Sequence, residues 1–242
     1  MESEIPNKKI AIIFYGLTRS LNKTINSLHE NIFNILTENS IEFDIFIHTY
    51  KINGAYKNDW SHENTANYIN EDIDKLLKHK YYINDNQEDI INKINFEDYY
   101  KKLGNWTGMT SEMTKYLIKN LCLALYSKKQ ICNLFEEHKS NYDYAIILRP
   151  DLQLKTKIDI NWINELNYNN IIIPNCDWFY GCNDRFCIGK IETILYYGKL
   201  FDCLQQYSEN NSIISEKFLL DMLNFKGIDI LKKDIQYDTL RI

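Results

Sequence analysis

The sequence predicts an α/β domain with parallel neighbouring strands, and three observations carry that expectation. Apolar, β-branched runs of strand length alternate with amphipathic stretches from the first residues onward. "KIAIIFY" is followed by Leu21, Ile25, Leu28, Ile32 and Ile35 at helical spacing, and then by "EFDIFIHTY". That alternation is the pattern of helices laid against a sheet. A further buried run, Tyr144 to Leu148, comes after a long helical stretch. Finally, neither an internal repeat nor a linker interrupts the 242 residues, so 1–242 reads as one domain.

Gly16 breaks the first strand, and "SLNKTINSLHENIFNIL" follows as an amphipathic helix. The second strand ends in His48 and Thr49. Residues 51–110 are polar and tyrosine-rich, with "KYYIND" as a third strand between weak helical stretches around 68–79 and 87–101. A long helix starts at Ser111, read as its N-cap, and keeps Met113, Leu117, Leu121, Leu125, Ile131, Leu134 and Phe135 in period. "YAIIL" and "NNIIIPN" are strands. The last helix, "SEKFLLDMLNF", puts Phe218, Leu219, Met222 and Leu223 on one face, and "GIDILKKDIQY" closes as one or two strands.

Composition narrows the function classes. With 28 basic and 33 acidic residues the net charge is −5, which argues against a nucleic-acid partner. The chain has no run of 18 apolar residues, and "MESEIPNKK" is polar and acidic. Neither a membrane span nor a signal peptide is expected, and the expected location is the cytoplasm. The six cysteines lack the paired spacing of a zinc ribbon and read as free thiols.

In open α/β sheets ligands bind beyond the carboxyl ends of the strands, and unusual residues stand there. Gly16, Thr18 and Arg19 follow the first strand. A tight turn, the free N–H groups of the next helix and a guanidinium together suit a diphosphate, or else form a plain strand-to-helix turn. Arg149, Pro150 and Asp151 follow the central strand with no polar buffer. Asp151 is a hard oxygen ligand suited to Mn²⁺ or Mg²⁺; the alternative is an Arg149–Asp151 ion pair closing a turn. In "CDWFYGCNDRFCIGK", Trp178 and Tyr180 offer a platform for a sugar ring and Asp184 an acceptor for hydroxyls, unless the segment is a hairpin with core aromatics. Glu216 opens the last helix, either as a general base or as a carboxylate placed by the helix dipole. Asp72-Ile73-Asp74 spells a D-x-D metal motif on a surface helix and is set aside. His48 reads as a hydrogen-bonded core residue rather than a metal ligand. Asn120 and Ser127, seven apart on the long helix, either face a nucleotide or form a polar seam.

In order, "KIAIIFYGLTRSL", "FDIFIHTY", "YDYAIILRPDLQL", "CNDRFCIG" and "SEKFLLDML" resemble a glycosyltransferase family of large DNA viruses and some bacteria. The resemblance implies a GT-A-like, Rossmann-like fold with a mixed, mostly parallel central sheet flanked by helices. Its nucleotide-binding part would span about 8–155 and its acceptor side about 156–242. It implies a nucleotide-sugar donor, a glycan or glycoprotein acceptor and Mn²⁺ or Mg²⁺. Gly16, Thr18, Arg19, His48, Thr49 and Arg149 would contact the nucleotide and Asp151 the metal. Trp178, Tyr180, Asp184 and Arg185 would meet the sugar or acceptor, with Asp184 or Glu216 as the base. Arg149 stands where the first aspartate of the family's metal motif belongs. A non-catalytic nucleotide-sugar-binding module, and a nucleotidyltransferase or phosphohydrolase of nucleotide sugars, are the alternatives.

Overall fold

The computed structural model describes residues 8–104 and 109–241; the polar opening 1–7 falls outside them. The chain begins with strand β1 (Lys9–Tyr15) and helix α1 (Leu21–Leu28), which continues through a π-helical stretch (His29–Phe33) into α2 (Asn34–Glu38). Strand β2 (Glu42–Lys51) precedes a small hairpin, β3 (Tyr56–Asn58) and β4 (Glu63–Thr65). Then come α3 (Ile73–Leu76), β5 (Tyr81–Asn86), α4 (Gln87–Lys93) and the long α5 (Ser111–Glu137). The second half holds β6 (Tyr144–Leu148), β7 (Leu152–Leu154), α6 (Trp162–Glu165), β8 (Asn170–Pro174) and β9 (Phe186–Lys190). Helices α7 (Ile191–Gly198), α8 (Phe201–Asn210) and α9 (Ser215–Lys226) lead to β10 (Asp229–Lys233) and β11 (Tyr237–Thr239).

Among the described residues the central sheet has seven strands in the order β10-β8-β9-β6-β1-β2-β5. Only β9 runs against its neighbours, antiparallel to both β6 and β8, so the sheet is mixed and mostly parallel. Alternation along β1 serves two cores. Ile10, Ile12 and Phe14 pack with the α1 side, while Ala11, Ile13 and Tyr15 pack with Ile118, Cys122 and Phe135 of α5. Strands covered on both faces can be apolar throughout, which is why their runs stood out in the sequence.

Topology places the site. From β1 the chain winds to β2 and β5 on one side, then crosses by α5 to β6 on the other. The connections leaving the carboxyl ends of β1 and β6 diverge, and a crevice opens between them.

Several expectations need correction. The N-cap of α5 is Thr110, whose hydroxyl accepts from Met113 N at 3.2 Å, so Ser111 is already helical. The face of α5 that is fully covered carries Thr114, Ile118, Cys122 and Leu125; Met113, Leu117 and Leu121 sit at its margin. "FCIGK" is a strand of the central sheet, wedged between β6 and β8, and not an arm of a local hairpin. Helices α7 and α8 were not foreseen.

Candidate functional site

A cleft of about 380 Å³ opens at the carboxyl ends of β1 and β6. Gly16 and Arg19 line it from the first turn, and Arg149 and Asp151 from the turn after β6. Tyr50, Tyr56, Trp60 and Tyr116 form an aromatic wall, with Lys119 and Asn120 from α5 beside it. Arg185 and Arg241 complete the basic side. The hairpin β3–β4 reaches over Arg19, whose Nη1 donates to Tyr56 Oη at 2.6 Å and lies 2.9 Å from Glu63 Oε2.

Asp151 is the hub. It is 1% exposed and accepts from three guanidinium groups. Arg149 Nε donates to Oδ1 at 2.9 Å, Arg19 Nη2 to Oδ2 at 3.2 Å, and Arg149 Nη2 and Arg241 Nη1 also donate to Oδ2. Burial raises the pKa of a carboxyl group, but Arg149, Arg241 and Arg19 outweigh it and bring Asp151 down to about 2. In turn, burial and the neighbouring Arg149 pull Arg241 down to about 10. The Arg149–Asp151 ion pair anticipated as an alternative is present, joined by two arginines from distant parts of the chain.

The expected Mn²⁺ or Mg²⁺ does not fit this donor set. A carboxylate offers about four lone-pair sites; of the four N–H donors at Asp151 three crowd Oδ2 and one meets Oδ1, which leaves at most one site for a cation. A divalent cation would displace arginines and sit among their charges, with Glu63 already paired to Arg19. Asp72 and Asp74, set aside earlier, are exposed on α3, and Asp72 pairs with Lys75.

The first turn is built differently from the expectation. Gly16 adopts φ 93°, a left-handed conformation that glycine takes without strain, and its N–H donates to Ser127 Oγ at 2.7 Å. Ser127 is in turn 2.7 Å from His48 Nδ1, and His48 Nε2 is 3.2 Å from Asp85 Oδ2. His48 is fully enclosed and steadies the turn from beneath. Burial lowers its pKa. Thr49 and Thr18 are buried too, their hydroxyls 3.4 Å apart. The expectation of nucleotide contacts from His48, Thr49 and Thr18 is therefore corrected. β2 runs on past His48 to Lys51, paired with β5 up to Asn86, so His48 and Thr49 lie inside the sheet and not at its rim, while Thr18, in the turn after β1, is buried away from the cleft lining. The N-terminus of α1 is not free either. Glu71 accepts from the N–H groups of Leu21 at 2.9 Å and Asn22 at 3.0 Å.

Beyond Arg185 lies a second acidic group. The Asp184 carboxylate accepts from Ser215 Oγ, and its main-chain carbonyl accepts from the hydroxyls of Tyr15 and Tyr197, each at 2.8 Å. The loop before it presses on the start of α9: Cys182 N donates to Glu216 O at 3.0 Å. Burial, aided by the nearby Asp184, pushes Glu216 up to about 7. Neither carboxylate lines the cleft, whereas Arg185 does, ion-paired with Asp177. Trp178 is corrected as a sugar platform. Its Nε1 donates to Pro174 O at 2.6 Å, and the Lys232 ammonium covers its ring at 3.7 Å. Tyr180 is half exposed on the outer surface with Phe179, away from the cleft lining.

Arg241, Glu63, Tyr56 and Glu71 were missed, since none of them closes an apolar run long enough to mark a buried strand.

No protein-family model and no curated protein sequence matches the chain. Among solved structures it is similar to the apo form of the glycosyltransferase GlyE of Streptococcus pneumoniae TIGR4, with 12% identity and a TM-score of 0.46 over 93% of this chain. The chain spans 45% of that protein's length. It is also similar to the apo form of mouse xyloside xylosyltransferase 1, with 10% identity and a TM-score of 0.44, over 93% of this chain and 85% of the other. Neither likeness reaches a TM-score of 0.5, so the functional reading rests on the cleft itself.

Proposed function

We propose that the protein is a glycosyltransferase that takes a sugar from a nucleoside-diphosphate donor and passes it to a hydroxyl of a glycan or glycoprotein. The observation that carries this is the meeting of Arg19, Arg149 and Arg241 at Asp151 beside an aromatic-walled cleft. Guanidinium groups are matched to phosphate oxygens, and aromatic rings to a nucleobase. The resemblance in sequence to glycosyltransferases supports the same reading.

On this reading the diphosphate lies against the arginines, with the base toward Tyr56 and Tyr116. As the bond from the anomeric carbon to the diphosphate oxygen breaks, its electron pair stays on that oxygen. Fixed guanidinium charge in a partly dry cleft stabilises it more than water would. The acceptor hydroxyl forms the new bond to the anomeric carbon, approaching from the side of Arg185 and Asp184. Its proton passes to a carboxylate; Glu216, raised to about 7, has the pKa for that role but stands outside the cleft lining, so it would take the proton through one intervening water rather than by direct contact.

A panel of UDP- and GDP-sugars tests the reading by thermal shift and by release of nucleoside diphosphate. At least one donor should raise Tm and be turned over slowly, with turnover lost in Arg149→Gln. A Tm rise without any turnover, with or without acceptor glycans, would favour the binding-module alternative. No shift across the panel would remove the proposal.

A further inference from the structure

We propose that the cleft holds its diphosphate on guanidinium groups alone, with no divalent cation, and that Arg241 is one of them; this rests on reading the cleft as a nucleoside-diphosphate site. The inventory of donors and acceptors carries it. A hard cation needs spare oxygen ligands. Asp151, the acidic residue between the two turns, accepts from four guanidinium N–H groups, three crowded on Oδ2 and one on Oδ1, which leaves at most one site on Oδ1 for a cation. Among the described residues no group of three or more His, Cys, Asp and Glu side chains is placed to hold a metal ion.

What the site has to spare is donors. Arg19 Nε is buried without a hydrogen-bond partner, although the residue is only 8% exposed. A buried donor left unpaired is costly, and an anion is the ligand that relieves it. Arg149 spends Nε and Nη2 on Asp151, and Arg241 spends Nη1. Both line the cleft, and each has further side-chain N–H groups beyond those given to Asp151. A diphosphate offers only acceptors, whereas a metal ion needs them. Asp151 is thus a positioning residue: it gathers three cations that would otherwise repel one another, and fixes their planes for phosphate.

Arg241 reaches the site because the residues just before it are tied down. β11 pairs antiparallel with β7, Leu240 N donates to Asp151 O at 2.9 Å, and Ser20 Oγ donates to Leu240 O at 3.0 Å.

Calorimetric titration of the full chain with UDP, GDP and inorganic pyrophosphate, in EDTA and in Mn²⁺, tests the proposal. At least one of these should bind in EDTA, with a Kd within about two-fold of that in Mn²⁺. Arg241→Gln should weaken that binding by roughly ten-fold or more, the value of a charge-assisted bond. Binding seen only with Mn²⁺ would overturn the metal-free site while leaving the nucleotide reading intact. An unchanged Kd in Arg241→Gln would overturn the part given to Arg241. No binding in either buffer would remove both this inference and the nucleotide reading. Should Arg241→Gln fail to fold, the comparison of buffers on the natural protein still decides whether the site needs metal.

Discussion

Glu216 and Asp151 show how surroundings divide the work of two carboxylates. Burial beside Asp184 keeps Glu216 protonated up to about pH 7, while the arginines keep Asp151 ionised down to about pH 2. The signs are opposite. Stability from Glu216 is complete below the ordinary carboxylate range and is lost as pH rises through about 7, whereas that from Asp151 is present at neutrality and is lost as pH falls toward about 2. On the proposed mechanism a base must be ionised, so kcat/KM should climb with pH and level off above about 7. Glu216→Gln should lower the rate about 100-fold or more and flatten that limb. A pH–rate profile unchanged in the variant would rule Glu216 out as the base. Arg149 and Asp151 stood out in the sequence because charge beside a buried run is conspicuous, and both line the cleft. Arg241 and Glu71 did not, since they look like any polar surface residue until the fold brings them in.

At the scale of elements, the least legible piece was β9 with the loop before it. "CNDRFCIGK" carries a glycine and charges that read as a turn, yet the sheet accepts it because β6 and β8 flank it on both sides. Its loop owes its course to Gly181. A Cβ there would lie 1.8 Å from the Glu216 main-chain oxygen, so only glycine permits the loop to rest on α9. Gly181→Ala should therefore cost about 1–3 kcal/mol in urea denaturation, the range for overpacking in a tight site. It should also shift the loop that bears Asp184 and Arg185. An alanine variant as stable as the parent would show that the loop adapts at no cost. The long helix was easy to find because its period persists for many turns. Its covered face was displaced by a residue because apolar side chains mark its margin as well as its centre.

For the whole molecule, the order of strands was out of reach of the sequence, although the α/β class was not. Periodicity reports which segments are strands; it says nothing about β6 lying beside β1, with β9 and β8 beyond. That neighbourhood makes the cleft, and with it the meeting of residues 19, 149 and 241. Expected nucleotide contacts at His48 and Thr49 failed for the same reason, since the extent of β2 depends on a partner strand formed more than thirty residues later.

The docking of β11 on β7 carries one more consequence. Through Leu240 it joins residues 237–240 to the main chain of Asp151, so on the proposed reading opening of β11 and loosening of the arginine cluster would be coupled. A nucleotide held by Arg241 must then suppress local opening far along the sequence from the base it carries. Amide hydrogen exchange at Leu240 should slow when a tightly bound donor is added, by the factor that its concentration exceeds Kd. Equal exchange with and without ligand would show the terminal strand to be an independent clasp, uncoupled from whatever the crevice contains.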